Sequence, residues 1–541
     1  MSTAEAVAVA LLALPAAAVL LAYAADRVGL TIAPFVILVL ALTMAAGVTL
    51  TLRRSARRAP TDLTAFTAII VGVFVWLVWL AWPEMMPLGG GPDLTHHLQL
   101  IDYIQRHWRL VHDPTLAPYF GEMIDYTPGS HLLIALAGAW RHTDGVHAVH
   151  VVLAFTVALK VGFVFLIARR LLPLTATGVP FAVLAALFLF LSPAYLLESF
   201  TRHSFFAQVA GEVFVVGMWW ALTVWEERPS TLTMALCAMW GAAAFLTWPV
   251  WVGPPLVALT FVVAVHRELA WRTRLTHLLV AIGPIAVVAV LHAAGRTDAV
   301  VIAGTSGYVQ PPAMNAARWG LVLLGGAGLA LAARRAQARV TPLLAGAIGL
   351  QAAALFAVAR SSAADTPYLA LKMLYLAPYP VAVAASLALA AAWTAFVAPR
   401  RHLWAWAFVS VLAIAIVRPV AGAPRPHAIV SQAVYEAGQW ARANLEPGCV
   451  DYFTTDSHAA YWLHVAVLGN LRASARTRDK DTFEQSAAIV RWILPGGLPY
   501  AIAEDFSALP KDLRTNVDVV SQFGPAAIIK RRGGASCADV R

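Results

Sequence analysis

The chain has 541 residues, of which 60% are hydrophobic and only 13% are charged. Soluble domains usually carry about a quarter charged residues, so this composition excludes an ordinary soluble protein. The formal net charge of +10 would suit a nucleic-acid-binding protein, but the basic residues lie in short clusters in every second loop between apolar runs. That distribution is the positive-inside pattern of a multi-pass membrane protein, and it argues against a nucleic-acid partner. The clusters are Arg53, Arg54, Arg57 and Arg58; Arg169 and Arg170; Arg267, Arg272 and Arg274; Arg334, Arg335 and Arg339; and Arg400 and Arg401.

Apolar runs of about 20 residues, the length that crosses a bilayer core of about 30 Å, recur up to about residue 421. We predict about thirteen transmembrane helices, all α-helical in a single membrane module. The basic clusters place the N-terminus in the cytoplasm, and the odd number of spans then places the C-terminus outside. No cleavable signal peptide is expected, because the first apolar run lacks a basic n-region and a second span follows it directly. The predicted spans begin near Glu5, Leu30, Thr64, Val146, Thr175, Gln208, Thr231, Val250, Leu275, Asn315, Thr341, Leu374 and Leu403.

Two regions are expected to lie outside the bilayer, so the predicted domains are a transmembrane module, 1–421, and a small extracytoplasmic α/β domain, 422–541. The membrane module contains a large external loop, 84–145, of ordinary polar composition. Within it, residues 94–108 have apolar positions at helical spacing and predict an amphipathic helix at the membrane surface. In the C-terminal region, alternating strands and helices predict an α/β layer. The predicted strands are 449–453, 500–503 and 526–529, and the predicted helices are 431–445 and 481–494, the latter capped by Asp481 with Glu484.

The densest group of polar residues follows the third span, where residues 89–97 read GGGPDLTHH. The glycines and the proline end the span and turn the chain at the membrane surface. Asp93 then begins the amphipathic helix, either as its cap or as a carboxylate held where lipid-linked substrates present their head groups; the two roles are compatible. His96 and His97 are adjacent and face different sides of a helix, so they cannot easily share a metal. A divalent cation at Asp93 and one histidine remains an open possibility, because such a pair is weak support for a metal site.

Further polar and aromatic residues occur in other external segments. Residues 125–131 read DYTPGSH, a turn that leads back into the membrane, and Asp125, Tyr126 and His131 are candidates for binding sugar. Trp248 and Trp251 fit either the aromatic belt of a membrane protein or stacking against sugar. The remaining external candidates are Glu198, Arg202, His203, Ser306, Tyr308 and Gln310.

Lys372 is a cation at the external start of a span, which opposes the positive-inside pattern. It either snorkels to the surface or binds a lipid phosphate. Lys160 lies inside the fourth span, from which its side chain could snorkel to the cytoplasm, and it is given no role. The sequence contains no phosphate-binding loop, dinucleotide glycine fingerprint or nucleophile elbow, and it has few of the mid-membrane ionisable residues that are typical of ion-coupled transporters.

Asp93 in the first large external loop, the interfacial helix and the turn Tyr126-Thr127-Pro128-Gly129-Ser130-His131 resemble the GT-C superfamily of glycosyltransferases. That superfamily has many membrane helices, an acidic residue in this loop and polyprenyl-phosphate sugars as donors. The chain is more closely similar to the actinobacterial galactan arabinofuranosyltransferases, which have two extra N-terminal helices and a C-terminal external domain. Thr127 departs from the proline often found there, and Lys372 from an expected arginine, so the transferred sugar stays open. Further matching segments are 246–249, 304–308, 371–373, 461–462, 469–470 and 479–480.

The resemblance implies an inverting transfer of a sugar, with arabinofuranose as one candidate, from a polyprenyl phosphate to a cell-envelope glycan or a lipid-linked acceptor. Asp93 would be the base. Lys372, His96, His97, Arg202 and His203 would bind the donor phosphate. The expected location is the bacterial inner membrane.

A transporter or flippase for a lipid-linked glycan is the main alternative to a transferase, and a lipid-binding scaffold without chemistry is the third. A transporter should show inverted repeats and broken helices at the midplane, which the sequence does not suggest.

Cys449 and Cys537 both lie in the region placed outside, an oxidising compartment, and are expected to form a disulfide. Cys237 lies within a span and should remain a free thiol.

Overall fold

The structure is a computed structural model that describes residues 1–53, 60–173, 177–294, 307, 309, 314–396, 402–472, 483–533 and 537. Helices dominate it, because the apolar runs must satisfy their backbone hydrogen bonds internally. The longer helices of the membrane part are α1 Thr3–Arg27, α2 Pro34–Arg53, α3 Pro60–Ala81, α4 Pro92–His107, α6 Gly129–Trp140, α7 Gly145–Leu171, α8 Gly178–Phe188, α11 Phe206–Glu227, α12 Thr231–Thr247, α13 Gly253–Val265, α14 Trp271–Ala293, α15 Ala316–Ala333, α16 Val340–Ser361, α18 Pro378–Phe396 and α19 His402–Ala421.

Short helices fill the connections. These are α5 Ala117–Phe120, α9 Pro193–Leu196, α10 Glu198–Thr201 and α17 Tyr368–Met373, with 3₁₀ turns at Pro114–Leu116, Gly121–Ile124, Leu189–Leu191, Pro249–Val252 and Ala336–Ala338.

Ten helical segments in the described part of the chain are long and apolar enough to cross a membrane. Three others, Gly178–Leu191, Thr231–Thr247 and Pro249–Val265, are shorter but coincide with predicted spans. Every predicted span therefore corresponds to a helical segment, while the total of thirteen crossings stays a prediction. A further short apolar helix, α6, was not among the predicted spans and follows the turn at 125–128.

The helices differ in how much of their surface other helices cover. In α7 and α11, 89% and 94% of the most apolar window is buried inside the protein, and α1 and the segment Tyr368–Phe396 are also largely buried. In α2, α3, α14, α15, α16 and α19 the buried share is 17–22%. The first group therefore forms the centre of the bundle. The second group exposes residues such as Leu323 and Val411, which is the surface that lipid would cover.

The C-terminal region forms a small sheet beside α4. Its four strands are β1 Val450–Phe453, β2 Tyr500–Ala503, β3 Val517–Phe523 and β4 Ala526–Arg531, in the order β1-β2-β4-β3. β1 and β2 are parallel, and the other two pairings are antiparallel. The accompanying helices are α20 Gln432–Asn444, α21 Ser457–Trp462, α22 Gln485–Ile493 and α23 Lys511–Thr515, with a 3₁₀ turn at Pro447–Cys449 and a π-helical segment at Leu463–Val467.

Three of the strands match the predicted ones, and β3 was missed. Helix α20 is capped by Ser431, whose side chain accepts a hydrogen bond from the backbone of Val434. Helix α22 begins at Gln485, later than predicted, with Glu484 at its N-cap position and no side-chain capping bond. The proposed cap at Asp481, and the segment 479–480, lie outside the described residues. Cys449 and Cys537 are paired as a disulfide with their Cα atoms 5.7 Å apart, and Cys237 is a buried free cysteine.

Candidate functional site

Helix α4 carries the candidate site and is held between the membrane helices and the C-terminal module. Its apolar residues, Leu94, Leu98, Ile101 and Ile104, are buried. They pack towards α6 on one side, while α21 and the π-helical segment lie against the helix from the other. The prediction of a helix here is therefore correct. Protein covers α4 on both sides, however. The C-terminal module packs on this helix, which the sequence predicted to lie at the membrane surface.

The glycine run explains how α4 reaches the neighbouring segment 202–204. Gly89 has a positive φ of 96°, and a side chain there would lie 2.9 Å from the Ser204 Oγ and 3.2 Å from the Arg202 carbonyl oxygen. The backbone N–H of Gly90 donates a hydrogen bond of 3.4 Å to that same carbonyl. Only glycine adopts this backbone conformation readily at so close an approach. The run thus joins the start of α4 to the segment that carries His203.

Asp93 lies in the first turn of α4 and does not cap the helix. Gly91 occupies the N-cap position, and no side chain makes a capping hydrogen bond there. The Asp93 side chain is exposed to the opening of the site. Desolvation by the surrounding protein nevertheless raises the pKa of this carboxyl above its ordinary value, while the charges of Lys372 and His96 act in the opposite direction. The carboxylate is therefore available for chemistry, and it is a stronger base than an ordinary aspartate.

Lys372 is completely buried at the end of α17 and does not snorkel. Its ammonium group donates a hydrogen bond of 2.8 Å to the Gln208 side-chain oxygen. It also lies over the Phe205 ring, with the rings of Tyr368 and Tyr375 5.0 and 5.4 Å away. Aromatic faces attract a cation, so the rings and the Gln208 oxygen offset part of the cost of burying the ammonium group. A buried cation of this kind is suited to an anionic ligand.

His97 lies inside the protein rather than at the surface. Its Nδ1 is 2.9 Å from the Nε2 of His131, and its ring stacks on Phe206 at 5.3 Å. Burial lowers the pKa of His97 well below its ordinary value, and the neighbouring His131 adds to the effect. A neutral ring cannot neutralise a phosphate. The structure thus favours a role for His97 in building the wall of the site, together with Tyr126, whose ring is 5.4 Å away.

His96 connects α4 to two other segments. Its Nε2 accepts a hydrogen bond of 2.6 Å from Arg472 and lies 3.3 Å from the Tyr461 hydroxyl, while its Nδ1 is 3.1 Å from Glu122. Arg472 also donates to Glu122 at 2.9 Å and to the Phe120 carbonyl at 3.0 Å. The sequence reasoning did not identify Arg472 or Glu122. Gly121 marks this contact in the sequence. It has a positive φ, and because it has no side chain it leaves the space that the Arg472 guanidinium fills.

Glu122 remains ionised within this group. Burial alone would raise its pKa, but hydrogen bonds from His96 and Arg472 more than offset that effect and hold the pKa well below its usual range. The result is a charged network of a carboxylate, a guanidinium and an imidazole beside Asp93. One of its members, Arg472, comes from the C-terminal module, so that module contributes directly to the surroundings of the candidate base.

The turn at 125–131 is fixed against the C-terminal end of α12. The Thr127 hydroxyl donates a hydrogen bond of 3.0 Å to the Thr247 carbonyl, and a side chain at Gly129 would lie 2.5 Å from the Thr247 Oγ1. This contact brings Tyr126 to within 6.4 Å of the Trp248 ring. The indole N–H of Trp248 is buried and has no hydrogen-bond partner among the described residues. An unpaired buried donor is costly, so Trp248 is a candidate to donate to a ligand.

The remaining predicted site residues are more peripheral. Arg202 is exposed and is 3.8 Å from Glu198, its ion-pair partner. The His203 ring stacks on Phe205, and burial, with the charge of Arg202 as a second cause, lowers the pKa of His203. Asp125 is exposed at the end of a 3₁₀ turn. Tyr308, like Ser306 and Gln310, lies outside the described residues.

A second polar group lies below the site, inside the membrane part. Lys160, on α7, forms an ion pair with Glu212, on α11, and both side chains are fully buried. The Tyr379 hydroxyl donates to Glu212 at 2.7 Å. Glu212 is one helical turn from Gln208, which holds Lys372. Lys160 therefore has a buried partner and does not snorkel to the membrane surface.

A metal site at Asp93 is not formed by the residues that the structure describes. In that part of the chain, the only cluster of three or more side chains with metal-ligand geometry is Glu446, Cys449 and Cys537. Its two cysteines are joined as a disulfide, which removes the thiolates that a metal would need. The cluster therefore offers no thiolate ligands.

The fold and site describe a multi-pass membrane protein with a charged site between its helices and a C-terminal module. No known family model matches the chain, and no curated protein matches it.

Several solved structures of membrane glycosyltransferases are similar. ArnT from Cupriavidus metallidurans is 14% identical, with a TM-score of 0.46 over 86% of this chain and 98% of that one. The archaeal oligosaccharyltransferase AglB from Archaeoglobus fulgidus, in complex with an inhibitory peptide and a dolichol-phosphate, is 15% identical, with a TM-score of 0.44 over 83% and 70%. An Archaeoglobus fulgidus oligosaccharyltransferase in its apo form is 14% identical, with a TM-score of 0.47 over 83% of this chain and 69% of that one. At these identities and TM-scores the similarities assign neither a family nor an activity to this chain.

Proposed function

We propose that this protein is a glycosyltransferase of the GT-C type that transfers a sugar from a polyprenyl-phosphate donor to a cell-envelope glycan or lipid-linked acceptor. The observation that carries the proposal is that the segment 202–205 contacts both the glycine run before Asp93 and the buried, aromatic-caged ammonium of Lys372. A base and a phosphate-binding cation are the two groups that transfer from a lipid phosphate requires. Arabinofuranose is the candidate sugar, and its only support is the sequence resemblance to the galactan arabinofuranosyltransferases.

The reaction that these residues support is a single displacement. The Asp93 carboxylate accepts the proton of an acceptor hydroxyl, and the oxygen forms a bond to the anomeric carbon of the donor sugar. The bond from that carbon to the phosphate oxygen breaks with inversion, and the electron pair leaves on polyprenyl phosphate. The anion that departs is stabilised by Lys372, because a preorganised cation in a site of low dielectric is worth more than in water.

The neighbouring residues support this arrangement in different ways. Tyr126 stays protonated, because burial raises its pKa well above the ordinary value, with the charges of Tyr368 and Asp93 as further causes. It can therefore donate a hydrogen bond to a sugar hydroxyl, and the unpaired indole N–H of Trp248 can do the same. Arg472, Glu122 and His96 hold the external module over the start of α4. The proposed location is the bacterial plasma membrane, with the site and the module on the outer side.

The proposal is tested by reconstituting the full chain in nanodiscs and supplying a panel of polyprenyl-phosphate sugars, including decaprenyl-phosphate arabinofuranose. Envelope glycan from a strain that lacks the gene serves as the acceptor, and mass spectrometry detects the product. We expect one sugar to be transferred by the wild-type protein and not by Asp93→Asn. Absence of transfer from every donor, together with movement of a lipid-linked glycan across the membrane, would support the flippase instead.

Donor binding is tested separately with undecaprenyl phosphate as the probe. Lys372→Met removes the charge at similar length, and a hydrogen bond to a charged group contributes about 1.5–3 kcal/mol. We therefore expect affinity to fall roughly 10–100-fold, with Lys372→Arg retaining more of it. Lys511→Met, at an exposed position in the external module, is the matched control. Equal affinity for Lys372→Met and the wild-type protein would remove the proposed phosphate site.

A further inference from the structure

A cavity of about 250 Å³ lies between α3, α7, α8 and α19, separate from the site at Asp93. Nearly all of its wall is apolar. The wall extends from about mid-depth in α3 and α7 to the ends of α8 and α19, on the side that carries the external module. Cavities of about 150 Å³ with apolar walls bind a benzene-sized molecule, so this one has room for a longer hydrocarbon segment. Its lining includes Ile69, Gly72, Trp76, Val183, Phe190 and Val420.

Gly72 is the residue that keeps part of this cavity open. A side chain built at Gly72 meets no heavy atom within 4 Å. Glycine inside a helix is less favourable than alanine by roughly 0.5–1 kcal/mol, and no neighbouring atom of the described protein requires its small size here. A larger side chain at Gly72 would therefore extend into the cavity without meeting another part of the protein.

Two arginines lie at the end of α19 and just after it, near the helix ends that form one side of the cavity. Arg425 follows α19, and its guanidinium lies 3.5 Å over the ring of Trp79, one turn beyond the lining residue Trp76. Arg418 is exposed on α19, next to the lining residue Val417. Both arginines are at the end of the bundle that the positive-inside pattern places outside, where arginines are not favoured. A lipid phosphate accepts hydrogen bonds from guanidinium groups and gives them a partner at this depth.

We propose that the cavity holds one hydrocarbon chain of an anionic phospholipid, with the phosphate at Arg418 and Arg425. Lipid tails are as apolar as the helices, so burial alone gives little preference for the cavity. The preference for an anionic lipid comes from the two arginines. The bound hydrocarbon chain also gains dispersion contacts with the cavity wall. The bound lipid would join α19 to α3 and α8. This inference does not depend on the transferase function, because none of these residues contacts Lys372 or Asp93.

The full chain is tested in nanodiscs that contain phosphatidylglycerol and phosphatidylcholine, followed by native mass spectrometry of the lipids that it retains. We expect the wild-type protein to retain phosphatidylglycerol preferentially and Gly72→Leu to lose it, because leucine fills the cavity. The matched control is Gly283→Leu in α14, where a side chain also meets no atom within 4 Å; this variant should retain the lipid. Gly72→Leu should melt no lower than the control, which excludes misfolding as the cause.

The charges are tested by Arg418→Gln and Arg425→Gln. A basic residue near an anionic surface contributes about 1 kcal/mol, so each change should reduce the preference for phosphatidylglycerol roughly fivefold. Unchanged retention in Gly72→Leu, or an unchanged preference in both arginine variants, would overturn the proposal. Displacement of phosphatidylglycerol by an equal amount of undecaprenyl phosphate would also overturn it, since the cavity would then belong to the donor.

Discussion

The substitution Asp93→Asn removes one proton acceptor and one negative charge while it keeps the size of the side chain. No capping bond is lost, because the Asp93 side chain does not cap α4. The raised pKa of Asp93 means that its ionised form is less favourable in the folded protein than in the unfolded chain above about pH 4. Asparagine should therefore leave the melting temperature unchanged or slightly higher. The fold is expected to be intact, so a loss of activity can be attributed to the missing base.

The expected loss follows from the chemistry of a general base. Such assistance contributes about 10²–10⁴-fold to the rate, so kcat for sugar transfer should fall at least about a hundredfold. The affinity for undecaprenyl phosphate should stay the same or increase, because the removed carboxylate is close enough to Lys372 to oppose the charge of a phosphate bound there. The result is a variant that binds the donor and does not transfer the sugar. Binding is measured by native mass spectrometry and transfer by product formation.

The pH dependence gives an independent test. The base acts only when it is deprotonated, so activity should rise as the pH increases through the pKa of Asp93. Burial raises that pKa, so the acidic limb should lie above the ordinary value of about 3.9. The small residual activity of Asp93→Asn should lack this limb. A wild-type profile whose limb is retained in Asp93→Asn would show that another group is the base.

Two other carboxylates in the same loop serve as comparisons. Asp113 is exposed and accepts hydrogen bonds from Thr115 in its own turn, so Asp113→Asn should transfer sugar normally. Asp125 lies beside the turn that carries Tyr126, and Asp125→Asn should lose less activity than Asp93→Asn. Near-normal transfer by Asp93→Asn with loss in Asp125→Asn would refute the assignment of the base. Normal transfer by all three variants would refute the reaction scheme.

Three further predictions concern the structure around the site. Arg472→Ala should reduce transfer by about tenfold or more without weakening binding of undecaprenyl phosphate, because hydrogen bonds of charged groups contribute about 1.5–3 kcal/mol; transfer and binding assays measure this. Cys449 and Cys537 should resist thiol labelling until reduced, and reduction should lower the melting temperature, because a cross-link across 88 residues contributes about 4.6 kcal/mol in the chain-entropy model. Glu212→Gln should destabilise the bundle by about 3–5 kcal/mol, since it leaves Lys160 buried without a charged partner, and thermal unfolding in nanodiscs measures this.

Each of these predictions has a control in the same chain. Arg532→Ala removes an exposed ion pair with Asp518 in the external module and should leave transfer unchanged; an equal loss in both arginine variants would contradict a specific role for Arg472. Rapid labelling of both external cysteines in unreduced protein would contradict the disulfide. Changing Lys160 to methionine in the Glu212→Gln background should restore part of the lost stability, and no recovery would contradict the pairing.

The sequence was sufficient for the features that depend on local pattern. The bilayer requires long apolar helices, so spans could be read from composition, and every predicted start has a helical segment near it. The amphipathic spacing of 94–108 was enough to locate α4. Three strands of the external module were found because they are short apolar runs between turns. β3 was missed because it is mostly exposed and so lacks an apolar run. Its strand conformation is stabilised by its pairing with β4.

The tertiary structure decided which of the polar residues meet. Asp93 and Lys372 are far apart in the chain, and only the packing of α4, α11 and α17 brings their charges together. The sequence could not show that Lys372 is buried in an aromatic cage, or that His97 faces His131, because both depend on which helix faces come into contact. Arg472 could not be found for the same reason, since its partners lie about 350 residues earlier. Helix periodicity fixes which face of a segment is apolar, while the meeting of distant faces, and hence the chemistry of the site, is a property of the packed bundle.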